Sequence, residues 1–457
     1  MENIKETLSL EDALNKIQEI TTKKYANLLE DIDKKGDNVK EQVISYIEKI
    51  IKDNNYEVKE YINKEEELAQ RIYNEMTGFS ILDEFFDPKN IINIEEINIL
   101  SWKDIIIYYN NGKRERAKNH FFSAKHSQDI LKRLLSRNGM TMNKSKPIIV
   151  GYLQTNGFNI RITAFGEEII EKNLGIGASI RIVNPRKLTK EDFLNNGLCN
   201  DEMIGFLSLA YSSGISICIT GETGSGKTTF MSYLMEQIPK NKRLITMEEN
   251  TREFNLHTFD EYGYMTNNVV HLITRPSEKE DENITLSYLL KTALTSDPNY
   301  MCVSEMKGDE SVQAVASANT GHGVITTTHA SSSEDTYDRI LFLSKQSLKN
   351  DISTEILLRM ITRAFPIIVN IQYYADNTRR IAEITECTGL DEHNRLIINP
   401  IYEFEVSQNT KLDNGEIEVD GYFKKNNIPS EKIKKLFLRN GATSQVINTY
   451  FTKKQQK

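Results

Sequence analysis

From Met1 to about Glu75, apolar residues recur three and four apart among Lys, Glu, Asp and Asn, as at Ile44, Ile47, Ile50 and Ile51. That spacing puts an apolar stripe along charged helices, so residues 1–75 are predicted to form a helical N-terminal appendage. The texture changes near Thr77. INIEEINIL and DIIIYY read as strands, NNGK from Asn110 to Lys113 as a hairpin turn, and Ser127 to Ser136 as a helix. Gly151 to Phe165 and Ala178 to Val183 add strands, so residues 76–184 are predicted as an α+β domain. NPRK, from Asn184 to Lys187, opens a predicted linker over 185–199.

Beyond Asn200 the pattern changes again. SICIT, RLITM, YMCVSE and GVITTTH are short apolar runs without polar alternation, separated by helical patterns such as LSYLLKTAL. Strands of that kind are buried on both faces, which predicts an α/β domain over 200–457 with a helix-flanked parallel sheet and a small C-terminal extension. The longest apolar run, Met203 to Thr220, is interrupted by Tyr211, Ser212, Ser213, Gly214 and Ser216. It reads as a helix and a buried strand rather than a membrane span.

Composition narrows the partners. A chain of 457 residues with 39% hydrophobic and 27% charged residues suggests two to three soluble domains. Its formal net charge of −8 argues against a broad phosphate-gripping surface, so no direct nucleic-acid contact is expected. The four cysteines form no C-x-x-C pair, and Cys218, Cys302 and Cys387 lie inside apolar strand-like runs. Buried thiols in a reducing compartment are expected. MENIKETLSLEDALNKIQEI shows no secretory pattern, and a cytoplasmic location is expected.

The chemistry begins at GETGSGKTT, which runs through Gly221, Glu222, Thr223, Gly224, Ser225, Gly226, Lys227, Thr228 and Thr229. It matches G-x-x-x-x-G-K-[ST] between a predicted strand and a predicted helix. Glycines let successive backbone N–H groups turn onto an anion, and the helix adds its positive end. Lys227 is expected to reach the β- and γ-phosphates of ATP, and Thr228 to ligate Mg²⁺. No guanine-reading N-K-x-D occurs.

An ATPase also needs carboxylates for the metal and for the attacking water. ITMEENTREF places Glu248, Glu249 and Glu253 at or after one strand's C-terminal end, and YMCVSEMKGDE places Glu305 at another's. TTTHA brings His329 to the same edge, where ligands bind in parallel sheets.

This order of phosphate loop, E-x-x-x-E-F, V-x-E-x-x-G and T-G-H-x-G…T-x-H-A resembles the ATPases of type II and type IV secretion systems. It is most similar to the Tad-type pilus and conjugative type IV branch. The resemblance covers roughly Ile72 to Phe404. It implies a RecA-like ATPase domain behind a PAS-like α+β domain, and a hexameric ring beneath a polytopic membrane platform protein. It further implies Glu249 as the water-activating acid with Glu253 beside it, Glu305 as the Mg²⁺-side carboxylate, and His329 as a γ-phosphate sensor. NIRITAF, SIRIVNP and ITRP resemble stretches whose arginines contact phosphates, which points to Arg161, Arg181 and Arg275. Three positions depart from the pattern: Asn250 stands where Asp is usual, Ser304 where Gly is usual, and TSDPN around Asp297 lacks the usual arginines. Two alternatives stay open at this level: a nucleic-acid motor with the same core, and an assembly subunit that binds ATP with little turnover.

Overall fold

The computed structural model describes residues 6–452, apart from 31–36, 111, 156–157, 184–186, 250–251, 276, 278, 349–351 and 414. Asn250, Asn184 and Asn111 of the NNGK turn therefore lie outside the described residues. The chain divides into two compact units, Met1–Pro185 and Arg186–Lys457.

The first unit has two cores. Strand β1 (Glu6–Leu8) pairs in parallel with β2 (Tyr56–Val58), beside helices α1 (Leu10–Glu30), α2 (Asp37–Asp53) and α3 (Glu65–Thr77). Leu14, Ile17, Ile47, Ile51, Leu68 and Ile72 pack into the helical core, so the three-and-four spacing of the isoleucines is its buried face. Next come β3 (Ile94–Ile99), β4 (Ile105–Tyr109), β5 (Arg114–Arg116), α4 (Ala124–Arg137), β6 (Ile148–Thr155), β7 (Phe158–Phe165) and β8 (Gly177–Val183). The six strands from β3 to β8 form an antiparallel sheet in the order β5-β4-β3-β8-β7-β6. Helix α4, capped by the Ser123 hydroxyl, buries Ile130, Leu131, Leu134 and Leu135 in the sheet's core.

The second unit opens with a departure from expectation. The stretch expected as a linker over 185–199 instead contains α5 (Lys190–Asn195), started by a reciprocal Thr189–Asp192 capping box. Phe193, Leu198 and Cys199 are buried in the unit's core, so this segment is part of the domain. Then follow α6 (Asp201–Ser212), β9 (Ile217–Gly221), α7 (Lys227–Glu236), β10 (Arg243–Glu248), β11 (Asn268–Ile273), α8 (Leu286–Ala293) and β12 (Tyr300–Val303). The remainder comprises α9 (Glu310–Asn319), β13 (Gly323–Thr328), α10 (Ser333–Ser347), α11 (Thr354–Ala364) and β14 (Ile367–Tyr373), followed by β15 (Arg379–Leu390), β16 (Leu396–Lys411), β17 (Ile417–Lys425), α12 (Glu431–Arg439) and α13 (Ser444–Phe451).

Nine strands form one sheet in the order β11-β10-β12-β13-β9-β14-β15-β16-β17. The first six run parallel and the last three join antiparallel, giving a mixed α/β fold. Ile217 and Ile219 of β9 feed one core while Cys218 between them feeds the other. Burial on both faces removes the polar alternation, as the apolar runs required. The C-terminal residues are more than an addition. Strands β15 to β17 continue the main sheet, and Ile433, Phe437 and Ile447 of α12 and α13 enter its core. Cys199, Cys218, Cys302 and Cys387 are all buried free thiols. No helix among the described residues is long and apolar enough to cross a membrane.

Candidate active site

Strand β9 delivers the chain into a turn that only glycine can make. Gly221 has φ 144°, and a Cβ there would sit 2.0 Å from the Ile371 carbonyl oxygen of β14. Gly224 and Gly226 take φ values of 80° and 91°, and α7 starts immediately after. Left-handed glycines flanking the turn let its N–H groups converge in front of the helix. Lys227 is 7% exposed, and its Nζ donates to the carbonyls of Gly221 (2.8 Å) and Glu222 (2.7 Å). The Ser225 hydroxyl is buried with no hydrogen-bond partner among the described residues. Buried hydroxyls are rarely left so, and this one suits an oxyanion in the turn. Thr228 and Thr229 are half-buried on the first helical turn, while Glu222 and Thr223 form an exposed rim.

The sheet order brings the other groups alongside. β13 lies between β9 and β12, and its threonines pin the chain that leaves β12. The Thr327 hydroxyl donates to the Ser304 carbonyl (2.8 Å), the Thr328 hydroxyl to the Met306 carbonyl (3.0 Å), and the Met306 N–H to the Thr327 carbonyl (2.7 Å). Glu305 thereby meets His329, with Oε1 to Nε2 at 3.0 Å. His329 Nδ1 lies 3.1 Å from the Gly221 carbonyl and 3.5 Å from Lys227 Nζ. Lys227, His329 and Glu305 thus form one continuous chain around the turn.

Glu249 leaves β10 and is ion-paired with Lys307, two residues beyond Glu305. The loop carrying Lys307 is held by buried Glu310, whose carboxylate accepts the N–H groups of Lys307 (2.5 Å) and Gly308 (2.7 Å). The three arginines are placed differently. Arg275 is exposed on a bridge to Ile284, and its Nη2 lies 3.5 Å from the Glu282 carbonyl. Arg161 and Arg181 belong to the first unit, where they are cross-strand partners on β7 and β8. Buried residues flank each on its own strand, so both point away from the core. Like charges directly opposite are unfavourable, and Glu96 of β3, directly opposite Arg181, brings a compensating negative charge beside the pair.

Two features escaped the sequence reading. One is the separation of Glu248 from Glu249. Glu248 is buried, its Oε1 accepting the N–H groups of Glu253 (2.5 Å) and Phe254 (3.0 Å), while Oε2 has no partner among the described residues. It props the acid-bearing segment from beneath and does not join the polar edge. The other is a pair of donors on the phosphate loop: Tyr373 Oη and Arg379 Nε bond the Gly224 carbonyl at 2.8 and 2.9 Å. Their distance along the chain leaves no local signal.

Glu248 makes stability depend on pH. Burial pushes its carboxyl up from 4.5 to about 8, only partly offset by the two N–H bonds. Between those values the unfolded chain releases a proton that the folded chain keeps, so raising the pH through that window costs stability. Relative to Glu248→Gln, the wild type is expected to lose thermal midpoint from pH 5 to pH 8.5. Parallel pH profiles for the two proteins would show that the carboxyl ionises normally in the fold.

A mixed α/β sheet with a strand–glycine turn–helix cradle, a buried lysine and a histidine–carboxylate pair is the arrangement of a phosphate-loop protein. The family model described as type II/IV secretion system protein matches residues 158–446, and the chain belongs to that family. An uncharacterised protein of Methanocaldococcus jannaschii is 31% identical over 202 residues, covering 44% of this chain and 34% of its own length. The type IV secretion system protein VirB11 of Brucella suis biovar 1 is 32% identical over 189 residues, covering 40% of this chain and 50% of its own. The chain thus spans half or less of these relatives. The structure of the Legionella pneumophila ATPase DotB shares the fold, with a TM-score of 0.50 and 17% identity over 81% of this chain and 88% of that one.

Proposed function

We propose that this chain is an ATP-hydrolysing motor subunit that acts as a homohexamer at the cytoplasmic face of a membrane. There it would drive a polytopic platform protein of a type IV secretion or Tad-type pilus machine. The observation that carries this reading is the linked Lys227–His329–Glu305 chain around a glycine turn whose Ser225 hydroxyl awaits an acceptor. In this reading the second unit is RecA-like, the antiparallel sheet of the first is PAS-like, and residues 1–75 are an appendage.

Lys227 and the amides of the turn hold the ATP phosphates, a role that suits the buried ammonium now held by the carbonyls of Gly221 and Glu222. Thr228 and Glu305 offer the hard oxygen donors that Mg²⁺ takes, and the bound ion would neutralise charge on the β- and γ-phosphoryl oxygens. Glu249, released from Lys307, orients the attacking water, with Glu253 as the second acid. His329 exchanges the Gly221 carbonyl for a phosphoryl oxygen and passes the change to Glu305. Arg161, Arg181 and Arg275 serve as phosphate-neutralising groups, a role that suits a planar guanidinium.

The ring is tested by native mass measurement with and without a non-hydrolysable ATP analogue and Mg²⁺. A six-chain species that grows with nucleotide is expected, and a monomer under every condition would contradict it.

A further inference from the structure

We propose that Tyr373 and Arg379 are positioning residues that latch the phosphate loop in its anion-ready shape through the carbonyl of Gly224. This rests on the reading of that loop as the nucleotide site. A turn that cups an anion points its N–H groups inward, and a carbonyl turned inward at its apex would repel the phosphate. At the apex, the Gly224 oxygen is held outward by two donors at once, Tyr373 Oη and Arg379 Nε. Gly224 has no Cβ to restrict the peptide on either side, and its φ of 80° lies where a non-glycine residue would be strained. The latch supplies the restraint that the glycine lacks.

Both donors come from one hairpin, Tyr373 ending β14 and Arg379 beginning β15. β14 also pairs with β9, Ile371 opposite Gly221, so the hairpin's base and the loop's base share one ladder. The Arg379 guanidinium lies 5.0 Å over the Tyr373 ring, which orders the two donors together. The turn between them is well braced. Asp376 takes two hydrogen bonds from Arg380 (3.1 and 2.6 Å) and two from Thr378. Arg380 in turn lies over Phe404 of β16 at 4.9 Å. The antiparallel strands thus reach the loop apex through packed side chains.

One remaining donor can still hold the carbonyl, so single and double variants should differ. Tyr373→Phe and Arg379→Met are each expected to weaken Mg·ADP binding about threefold, and the double variant more than tenfold. Arg379→Lys, which keeps a donor, should stay near wild type. With saturating ATP, phosphate release by the double variant should approach the wild-type rate while the half-saturating concentration rises, a split that general loosening would not give. Titration calorimetry and ligand-induced thermal shift read the affinity. A double variant that binds Mg·ADP as tightly as wild type overturns the latch. If that variant does not fold, Tyr373→Phe, which removes only a hydroxyl, decides by the same affinity criterion. A wild type that binds no nucleotide overturns the phosphate-loop reading, and the latch with it.

Discussion

Lys227→Ala is expected to weaken Mg·ATP binding by about two orders of magnitude or more and to abolish phosphate release. The ammonium group is buried in the turn, where low dielectric strengthens its attraction for a polyphosphate. In the structure it is held by the carbonyls of Gly221 and Glu222, neutral acceptors that a phosphate oxygen outcompetes. Alanine removes the charge and leaves the glycine turn, whose shape is fixed by the close approach of Gly221 to Ile371. The variant should therefore fold, which circular dichroism checks, while titration calorimetry measures the lost affinity. Binding within a fewfold of wild type would mean that the lysine serves only to brace the loop.

Glu249→Gln should behave in the opposite way. Nucleotide affinity is expected to stay within a fewfold, while steady-state phosphate release falls about 100- to 1,000-fold, the usual range for losing a group that positions water. Glutamine keeps the size of the side chain and can still accept from Lys307, so the loop after β12 should hold. Only the negative charge that orients and polarises water is lost. Unchanged turnover would move the water-positioning role elsewhere, with Glu253 the next acid along.

The phosphate loop was legible because its residues are constrained twice, by left-handed backbone at the glycines and by a buried strand on one side and a helix on the other. The parallel strands were legible because burial on both faces removes polar alternation, as in β9 and β13, where every residue is buried. The outward faces of Arg161 and Arg181 follow from period two in IRI, which recurs in β7 and β8. The capping box that starts α5 is also written in the sequence, as T-x-x-D at Thr189 and Asp192, but it follows closely on a proline, a residue that equally marks linkers.

Other features had no local signature. Which of two adjacent glutamates turns inward depends on the last residue of β10, and Glu248 completes the strand while Glu249 leaves it. The Gly224 carbonyl finds its donors about 150 residues away, where a sheet contact and not a motif brings them together. Strand β16 alternates weakly and is largely exposed at its far end, so its membership in the main sheet came only from its pairing with β15.

A motor requires that the glycine turn around Lys227 hold ATP in a geometry that leads to hydrolysis. Steady-state release of inorganic phosphate by the purified wild-type chain, followed as ATP and Mg²⁺ are varied, measures this directly. Saturable, magnesium-dependent release that disappears in Lys227→Ala is the predicted result. Release no greater in the wild type than in that variant would contradict it.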